Sequence, residues 1–261
     1  MKTQHYSENA LLAMLKTLRL PYFATNHKEV ATSSSKKGLT YGQYLYHLAE
    51  QEISNRTIKR RERFLKSSKL PVLKTLDSLD LKILGGKIRK QLPELCSGEF
   101  IKRNENILIF GLPGLGKTHI ASAIGHELIK QDYRVLFQQT GFLVQSLLAA
   151  RQSLTLERAL KKLDKFDLII LDDLGYVQQD RDEMEVLFTF LGERYERRSL
   201  IITSNLVFSQ WDKIFKDPMT TAAAIDRVVH HSIILELNGK SYRATEAEGR
   251  IKLINIEKGK D

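Results

Sequence analysis

The sequence predicts an α/β fold in which a parallel β-sheet lies between helices and follows a small helical N-terminal domain. After residue 106, short apolar runs alternate with helical stretches, and near-continuous apolar strands are typical of a parallel sheet covered on both faces. The five runs cover residues 107–110, 135–137, 168–171, 200–203 and 233–237. The earlier part of the chain shows helical periodicity, as at Leu11, Leu15 and Leu18, and no convincing strand.

This change of pattern predicts two domains. Residues 1–84 form the helical domain with its linker, and residues 85–261 form the α/β domain. Within the first, the polar, serine-rich segment 27–38 predicts a loop, and Thr40 with Gln43 predicts the capping-box start of a helix. In the second, two helical pieces lie between the second and third strands, where one would suffice for a crossover.

The charge of the chain suggests a polyanionic partner. The 261 residues carry a formal net charge of +10 with a pI near 9.5, and clustered Lys and Arg attract nucleic acid through counterion release. The segment "NRTIKRRERFLK" places Arg56, Arg60 and Arg63 on one helix face. A solvated charged face is the alternative interpretation of that segment.

The sequence also indicates a cellular setting. Cys96 is the single cysteine, which excludes an internal disulfide framework and fits a reducing cytoplasm. The apolar start "ALLAMLKTLRL" is interrupted by Lys16 and Arg19 and lacks a small-residue cleavage site, so it predicts an amphipathic helix rather than a signal peptide. No segment reaches the length of a membrane span. We therefore expect a cytoplasmic protein without a membrane partner.

A P-loop follows the first strand directly. The sequence "GLPGLGKT" runs from Gly111 to Thr118 and opens a helix, which is the context this motif requires. Gly111, Gly114 and Gly116 allow backbone N–H groups to turn toward phosphates, and the helix adds its N-terminal dipole. Lys117 supplies a positive charge to the β- and γ-phosphates, and the Thr118 hydroxyl is placed to bind Mg²⁺. The predicted ATP-binding residues are Gly111, Leu112, Pro113, Gly114, Leu115, Gly116, Lys117, Thr118 and His119.

Two adjacent acids end the third strand, in "LIILDDLG". A Mg²⁺ ion held by Thr118 needs an anionic anchor from the end of a neighbouring strand, and Asp172 is the first acid after the apolar run. Asp173 is expected to point elsewhere, because successive residues of an extended segment face opposite ways. The alternative for Asp173 is a helix cap or a turn residue.

A polar triplet ends the fourth strand, in "LIITSN". Ligands of open α/β sheets lie outside the carboxyl ends of the strands, so Asn205 is placed to orient an attacking water or to sense the γ-phosphate. An asparagine in an ordinary turn is the alternative.

With these pieces in order, the chain resembles the AAA+ ATPases, and within them the IstB-like transposition helper ATPases, relatives of the DnaC helicase loaders. The resemblance covers nearly the whole chain and rests on "GKTHIASAIG", "LIILDDLGY", "ERYERRSLIITSN", "IDRVVHHS" and "LNGKSYR". It implies a five-stranded parallel sheet in which the strand ending at Asn205 lies between the P-loop strand and the strand ending at the two acids.

The resemblance also implies roles for single residues. Asp173 matches the acid that polarises the attacking water, Asn205 matches sensor 1, and Arg227 matches an arginine finger that reaches ATP bound by a neighbouring subunit. The extra helical piece matches an insertion that faces nucleic acid, with Arg151, Lys161 and Lys162 as candidate contacts. After "SYR" only about twenty residues remain, too few for a full C-terminal lid domain. Arg243 is a weak candidate for sensor 2.

The resemblance implies an ATPase with ATP and Mg²⁺ as cofactors that assembles with further copies on duplex DNA and recruits a transposase of the same element, with hydrolysis controlling disassembly. A replicative helicase loader shares the same ATPase parts and would prefer single strands. A P-loop small-molecule kinase would need a lid and an acceptor-binding segment that the sequence does not show. A nucleotide-gated adaptor that binds ATP and barely hydrolyses it is a third alternative.

Overall fold

The computed structural model of the chain describes residues 7–81, 84–175, 180–206, 210–211 and 228–239. The chain divides into two compact units, Met1–Arg63 and Phe64–Asp261. The division falls before residue 84, where the change of composition lies, because Leu70 and Leu84 are buried in the core of the second unit and Phe64, Leu76 and Leu79 pack against it. Residues 64–81 thus belong structurally to the sheet domain.

The first unit is helical, as predicted. It contains α1 (Glu8–Thr17), α2 (Pro21–Lys36) and most of α3 (Tyr41–Ser68). The capping box before α3 is confirmed: Thr40 N donates to Gln43 Oε1 at 2.9 Å, and Gln43 N donates to Thr40 Oγ1 at 3.3 Å.

The loop predicted for residues 27–38 is wrong, because α2 continues to Lys36. Pro21 stands in the first turn, where its fixed φ favours a helix start and its missing N–H costs nothing. Within α2, the hydroxyls of Thr25 and Thr32 donate to carbonyl oxygens four residues earlier, each at 3.0 Å. Hydroxyl side chains that often favour turns are therefore satisfied inside the helix.

The second unit contains the remaining helices and all five strands that the structure describes. The helices are α4 (Gly86–Ser97), α5 (Glu99–Lys102), α6 (Lys117–Lys130), α7 (Thr140–Gln152), α8 (Leu156–Leu163) and α9 (Arg181–Arg194), and the strands are β1 (Asn106–Gly111), β2 (Val135–Gln139), β3 (Leu168–Leu174), β4 (Ser199–Ser204) and β5 (Ser232–Leu237). The two helical pieces expected between the second and third strands are α7 and α8.

The five strands form one parallel sheet in the order β2-β3-β4-β1-β5. This confirms the predicted fold, including the position of β4 between the P-loop strand and the strand that carries the two acids. Because all strands are parallel, their carboxyl ends meet at one edge of the sheet. The P-loop and Asn205 follow those ends, and the two acids lie in the last residues of β3.

Alternate residues of each strand enter two separate cores. Ile107 and Ile109 of β1 face the core made with α4 and α6, whereas Leu108 and Phe110 face the core made with α7 and α9. This is the period-two alternation of a strand, and burial on both faces explains why the runs are almost wholly apolar. In the described residues, no helix is long and apolar enough to cross a membrane.

Candidate functional site

The P-loop connects β1 to α6 at the carboxyl edge of the sheet. β1 ends at Gly111 and α6 begins at Lys117. Gly111, Gly114 and Gly116 have φ of 151°, 83° and 88°, values that residues with a side chain rarely adopt. A Cβ on Gly111 would also lie 2.6 Å from the carbonyl oxygen of Leu237, so glycine is needed there for the close approach of β5 as well.

Lys117 joins the P-loop to β4. Its side chain is 5% exposed, and Nζ donates to the carbonyl oxygens of Gly111 at 2.7 Å and Leu112 at 3.0 Å. Nζ also donates to Asn205 Oδ1 at 2.6 Å. The structure therefore brings together the lysine and the asparagine that the sequence places 88 positions apart.

Asp172 lies at the end of β3 and is 4% exposed. Its Oδ1 accepts a hydrogen bond from Thr203 Oγ1 at 2.7 Å, and Thr118 also donates to its side chain. Its carbonyl oxygen accepts from Thr140 Oγ1 at 3.0 Å. The carboxylate and the Thr118 hydroxyl, the two predicted Mg²⁺ ligands, are thus neighbours.

The pKa of Asp172 is the result of opposing effects. Burial raises it above the ordinary value of an aspartic acid, the hydrogen bond from Thr203 lowers it, and the negative charge of Asp173 raises it again. The hydrogen bond from Thr118 and the positive charge of Lys74 also lower it. A nearby divalent cation would favour the charged form in the same way.

Asp173 is separated from Asp172 by a bulge in the sheet. Leu171 pairs with Ile202 and Leu174 with Ser204, so β3 holds one more residue than β4 across this interval. Asp173 has φ of 58°, in the left-handed region, and its backbone N donates to Thr203 Oγ1 at 2.9 Å. The bulge interrupts the regular strand alternation expected from sequence, and both acids line one cavity.

Two cavities adjoin these residues. The first, about 450 Å³, is lined by both acids together with Thr140, Phe142 and Glu183. The second, about 540 Å³, is lined by P-loop residue Leu115, by Gly85 and Ile88, and by the end of β5. No local sequence pattern predicts the second cavity, because its walls come from segments far apart in the chain.

A segment that precedes the sheet also contacts the start of α6. The Nε2 atom of His119 lies 3.0 Å from Thr75 O and 3.1 Å from Ser78 Oγ, and Nε2 of His126 lies 3.1 Å from Pro71 O. Sequence reasoning assigned His119 to the ATP site and missed its contact with this segment. In the structure, its ring fixes the segment beside the P-loop helix.

The donor set fits Mg²⁺. Hydroxyl and carboxylate oxygens are the ligands this ion prefers, and Mg²⁺ usually takes only one or two protein carboxylates alongside substrate phosphates and waters. No cluster of three or more His, Cys, Asp and Glu residues that could hold a metal occurs within the described ranges. Thr118 and Asp172 are consistent with an ion held jointly by the protein and by a nucleotide.

Three of the six predicted DNA contacts form ion pairs. In the first unit, Arg56 Nε donates to Glu52 Oε1 at 2.7 Å, and Glu52 also accepts from Tyr22 N at 2.7 Å. In the second unit, Arg151 Nη1 lies 3.0 Å from Glu185 Oε2 and Lys161 Nζ lies 2.5 Å from Glu157 Oε1. Arg63 Nε donates to a backbone oxygen, Arg60 has a partner as well, and Lys162 is exposed.

Arg227 and Arg243 lie outside the residues that the structure describes. The predicted roles of these two arginines, as finger and sensor 2, therefore remain predictions.

Comparison with known proteins decides the family. The family model of the IstB-like ATP binding proteins matches residues 13–249. The chain belongs to this family. Among its relatives, an insertion sequence ATP-binding protein of Sinorhizobium fredii is 44% identical over 250 residues, covering 95% of this chain and 84% of the relative. The ATP-binding protein of insertion sequence IS21 from Pseudomonas aeruginosa is 36% identical, covering 90% and 89%.

Solved structures confirm the fold of this IstB-like protein. DnaI matches with a TM-score of 0.54 at 22% identity, covering 63% of this chain and 90% of DnaI. The DnaC helicase loader matches with a TM-score of 0.52 at 18% identity, covering 67% and 99%. At these identities the likeness is one of fold, and it agrees with the AAA+ architecture predicted from the sequence.

Proposed function

We propose that this protein is an ATP-dependent, DNA-binding helper of transposition. It binds ATP with Mg²⁺, assembles with further copies on duplex target DNA, and recruits and activates the transposase of the same element. Hydrolysis of ATP then ends the assembly. The main support for the proposal is that four predicted site residues meet at one edge of the sheet, namely Lys117, Asn205, Thr118 and Asp172. The chain is also related to insertion sequence ATP-binding proteins.

The P-loop residues hold the nucleotide. Backbone N–H groups of Gly114 and Gly116 and the N-terminus of α6 bind the phosphates, and Lys117 contributes the charge. Thr118 and Asp172 would hold Mg²⁺, which would supply positive charge to offset the charge that develops on the phosphates. The cavity beside Leu115 receives the base, because Ile88, Leu115 and Leu237 provide apolar contacts for a flat aromatic group.

Hydrolysis requires a water held in line with the γ-phosphate. In the proposed mechanism Asp173 polarises this water, and Asn205 orients it or the γ-phosphate while contacting Lys117. Arg227 of a neighbouring copy supplies the finger, so the active site is complete only in an assembly. Asp is one methylene shorter than Glu, and this shorter reach favours slow turnover.

The DNA contact is assigned to basic residues of both units. The net charge of +10 supports binding to a polyanion. In residues 1–84 the candidates are Arg56, Arg60 and Arg63, and in α7 and α8 they are Arg151, Lys161 and Lys162. The ion pairs of Arg151 and Lys161 are exposed, and exposed pairs contribute little to stability, so a phosphate can replace the carboxylate. The helical domain also provides part of the transposase contact.

The test is ATP-dependent assembly on duplex DNA by the full chain and its Lys117→Ala variant. We expect the variant to lose assembly because the phosphates lose their lysine. Lys130→Ala is a matched control, since Lys130 is an exposed lysine at the other end of α6 that pairs with Glu127. Sedimentation of protein with DNA, with and without ATP, measures the effect. ATP-dependent assembly that survives in Lys117→Ala would contradict the proposal.

The same assay separates the proposal from a helicase loader. The likeness to DnaC is a likeness of fold, whereas the relatives in sequence are insertion sequence proteins. We expect duplex DNA to support assembly and to stimulate hydrolysis more than single strands do, at several salt concentrations, because electrostatic binding weakens with salt. A preference for single strands at every salt concentration would favour the loader.

A further inference from the structure

We infer that Thr203 is a positioning residue that sets the arrangement of the two acids. Its hydroxyl forms hydrogen bonds with the carboxylate of Asp172 and with the backbone N–H of Asp173. These bonds fix the position of the metal-binding acid relative to the acid that polarises water. This inference rests on the proposed function and deepens it. Sequence reasoning noted Thr203 at the end of β4 without giving it a role.

The hydroxyl bonds to both acids. A threonine hydroxyl has one donor and two acceptor lone pairs. Thr203 Oγ1 donates to Asp172 Oδ1 at 2.7 Å and accepts from Asp173 N at 2.9 Å. The residue is 0% exposed, so water does not compete for these bonds. Removal of the hydroxyl leaves a buried carboxylate oxygen and a backbone N–H each short of a partner.

The backbone of Thr203 is held from the β1 side of the sheet. β4 is an interior strand, and Thr203 pairs with Ile109 of β1. Two residues further along, Asn205 contacts Lys117. The short segment from Thr203 to Asn205, at the end of β4, therefore contacts the metal-binding acid, the water-polarising acid and the phosphate-binding lysine.

The bond to Asp173 N stabilises an unusual backbone. Asp173 is in the left-handed region with φ of 58°, which is disfavoured for residues with a side chain. At a bulge the regular ladder is interrupted and an extra residue is left without its usual partner. The hydroxyl of Thr203 supplies that partner, so the direction of the Asp173 carboxylate depends on it.

The alternative is that Thr203 only stabilises the fold. Its neighbour, Ser204, provides a control for this alternative. Ser204 is also 0% exposed. Its Oγ donates to the Leu174 carbonyl oxygen at 2.8 Å and accepts from Leu206 N at 3.1 Å. Ser204 Oγ therefore also makes two hydrogen bonds, one to β3 and one to the segment that follows β4, and neither reaches an acid.

The experiment compares Thr203→Val, Thr203→Ser and Ser204→Ala in the full chain on duplex DNA. For each variant, kcat, KM for ATP, the Mg²⁺ concentration for half-maximal rate and the midpoint of thermal unfolding are measured. We expect Thr203→Val to lower kcat and raise the Mg²⁺ requirement by about tenfold or more, as when partners of metal ligands are removed. KM for ATP should change by less than about twofold, since the phosphate contacts remain.

Two further variants distinguish a positioning role of Thr203 from a contribution to stability alone. Thr203→Ser keeps the hydroxyl and should retain kcat within about twofold of the original protein. Ser204→Ala should lower the unfolding midpoint about as much as Thr203→Val does while retaining kcat within the same limit. If Thr203→Val does not fold, Thr203→Ala takes its place, because it introduces no apolar methyl group beside the Asp172 carboxylate.

Three results would overturn the inference. They are an unchanged kcat and Mg²⁺ requirement in Thr203→Val, a serine variant as slow as the valine variant, or an equal loss of kcat in Ser204→Ala. Lys117→Ala and Asp173→Asn are measured in the same assay. If these two stop hydrolysis while Thr203→Val does not, the inference alone fails; if they also hydrolyse ATP normally, the proposed function fails.

Discussion

Single hydroxyl and amide groups orient the charged side chains of Asp172 and Lys117 at the edge of the sheet. Thr203, Thr140 and Thr118 all donate to Asp172, one of them to its backbone oxygen, and Asn205 accepts from Lys117. Thr203, Thr118 and Asn205 thus orient charged groups without adding charge, and Thr140 holds the backbone of Asp172. The geometry of the site is thereby fixed before a nucleotide enters.

At this scale we predict the effect of Asp173→Asn. The amide keeps the size of the carboxylate but cannot polarise a water as a base, so hydrolysis should fall by about a hundredfold or more, within the range for loss of a general base. ATP binding should persist, and complexes on DNA should become long-lived. Nucleotide binding, phosphate release and dissociation from DNA are the measurements, and undiminished hydrolysis would refute the role of Asp173.

The sequence alone predicts those residues of the candidate site that belong to a motif or lie at the end of a strand. Lys117, Thr118, Asp172 and Asn205 follow from the P-loop and from polar residues at strand ends. The contacts of His119 with Thr75 and Ser78 were not predictable, because they join segments that no local pattern relates. The bulge at Asp173 was missed since nothing in "LIILDDLG" distinguishes it from a regular strand end.

Among the elements, the strands were easier to predict than the helices. Burial on both faces gives each strand an apolar run that few other structures produce, and all five runs proved to be strands. Helix α2 was partly missed because its serine and threonine residues favour turns in isolation. Within the helix their hydroxyls bond to its own carbonyls, as Thr25 and Thr32 do, so local composition was misleading.

The contact between β1 and β5 gives a prediction for the P-loop. Gly111→Ala places a methyl group 2.6 Å from the Leu237 carbonyl oxygen and requires a φ of 151°. Relief of this overlap must move β5 or the loop, at a cost of about 1–3 kcal/mol. We expect a lower thermal midpoint and weaker ATP binding. Gly141→Ala is the control, because an added Cβ there meets nothing within 4 Å; equal midpoints for the two variants would contradict this explanation.

For the whole molecule, the proposed arginine finger makes activity a property of the assembly. Lys117→Ala protein keeps Arg227, and Arg227→Ala protein keeps Lys117. In an equimolar mixture that assorts at random, about a quarter of the head-to-tail interfaces combine both intact groups. We therefore expect each variant alone to be inactive and the mixture to recover part of the turnover. ATP hydrolysis across a series of mixing ratios tests this.

If no mixing ratio of the two variants restores ATP turnover, this would argue against an arginine finger supplied by a neighbouring subunit. A double variant carrying both substitutions is the control for the mixture, since it offers no intact interface at any ratio. Turnover that varies with protein concentration in the unmodified chain would further support an active site shared between copies.

The bulge in β3 has a consequence for how such a site changes by mutation. Without Asp173, Leu174 would follow Asp172 directly and pair with Ser204 in the regular register that Leu171 and Ile202 begin. The sheet would then remain continuous, with the proposed metal-binding acid in place and the proposed water-polarising acid gone. If the proposed roles hold, loss of one codon is thus a short genetic path from a protein that hydrolyses ATP to one that binds ATP and stays in the bound state.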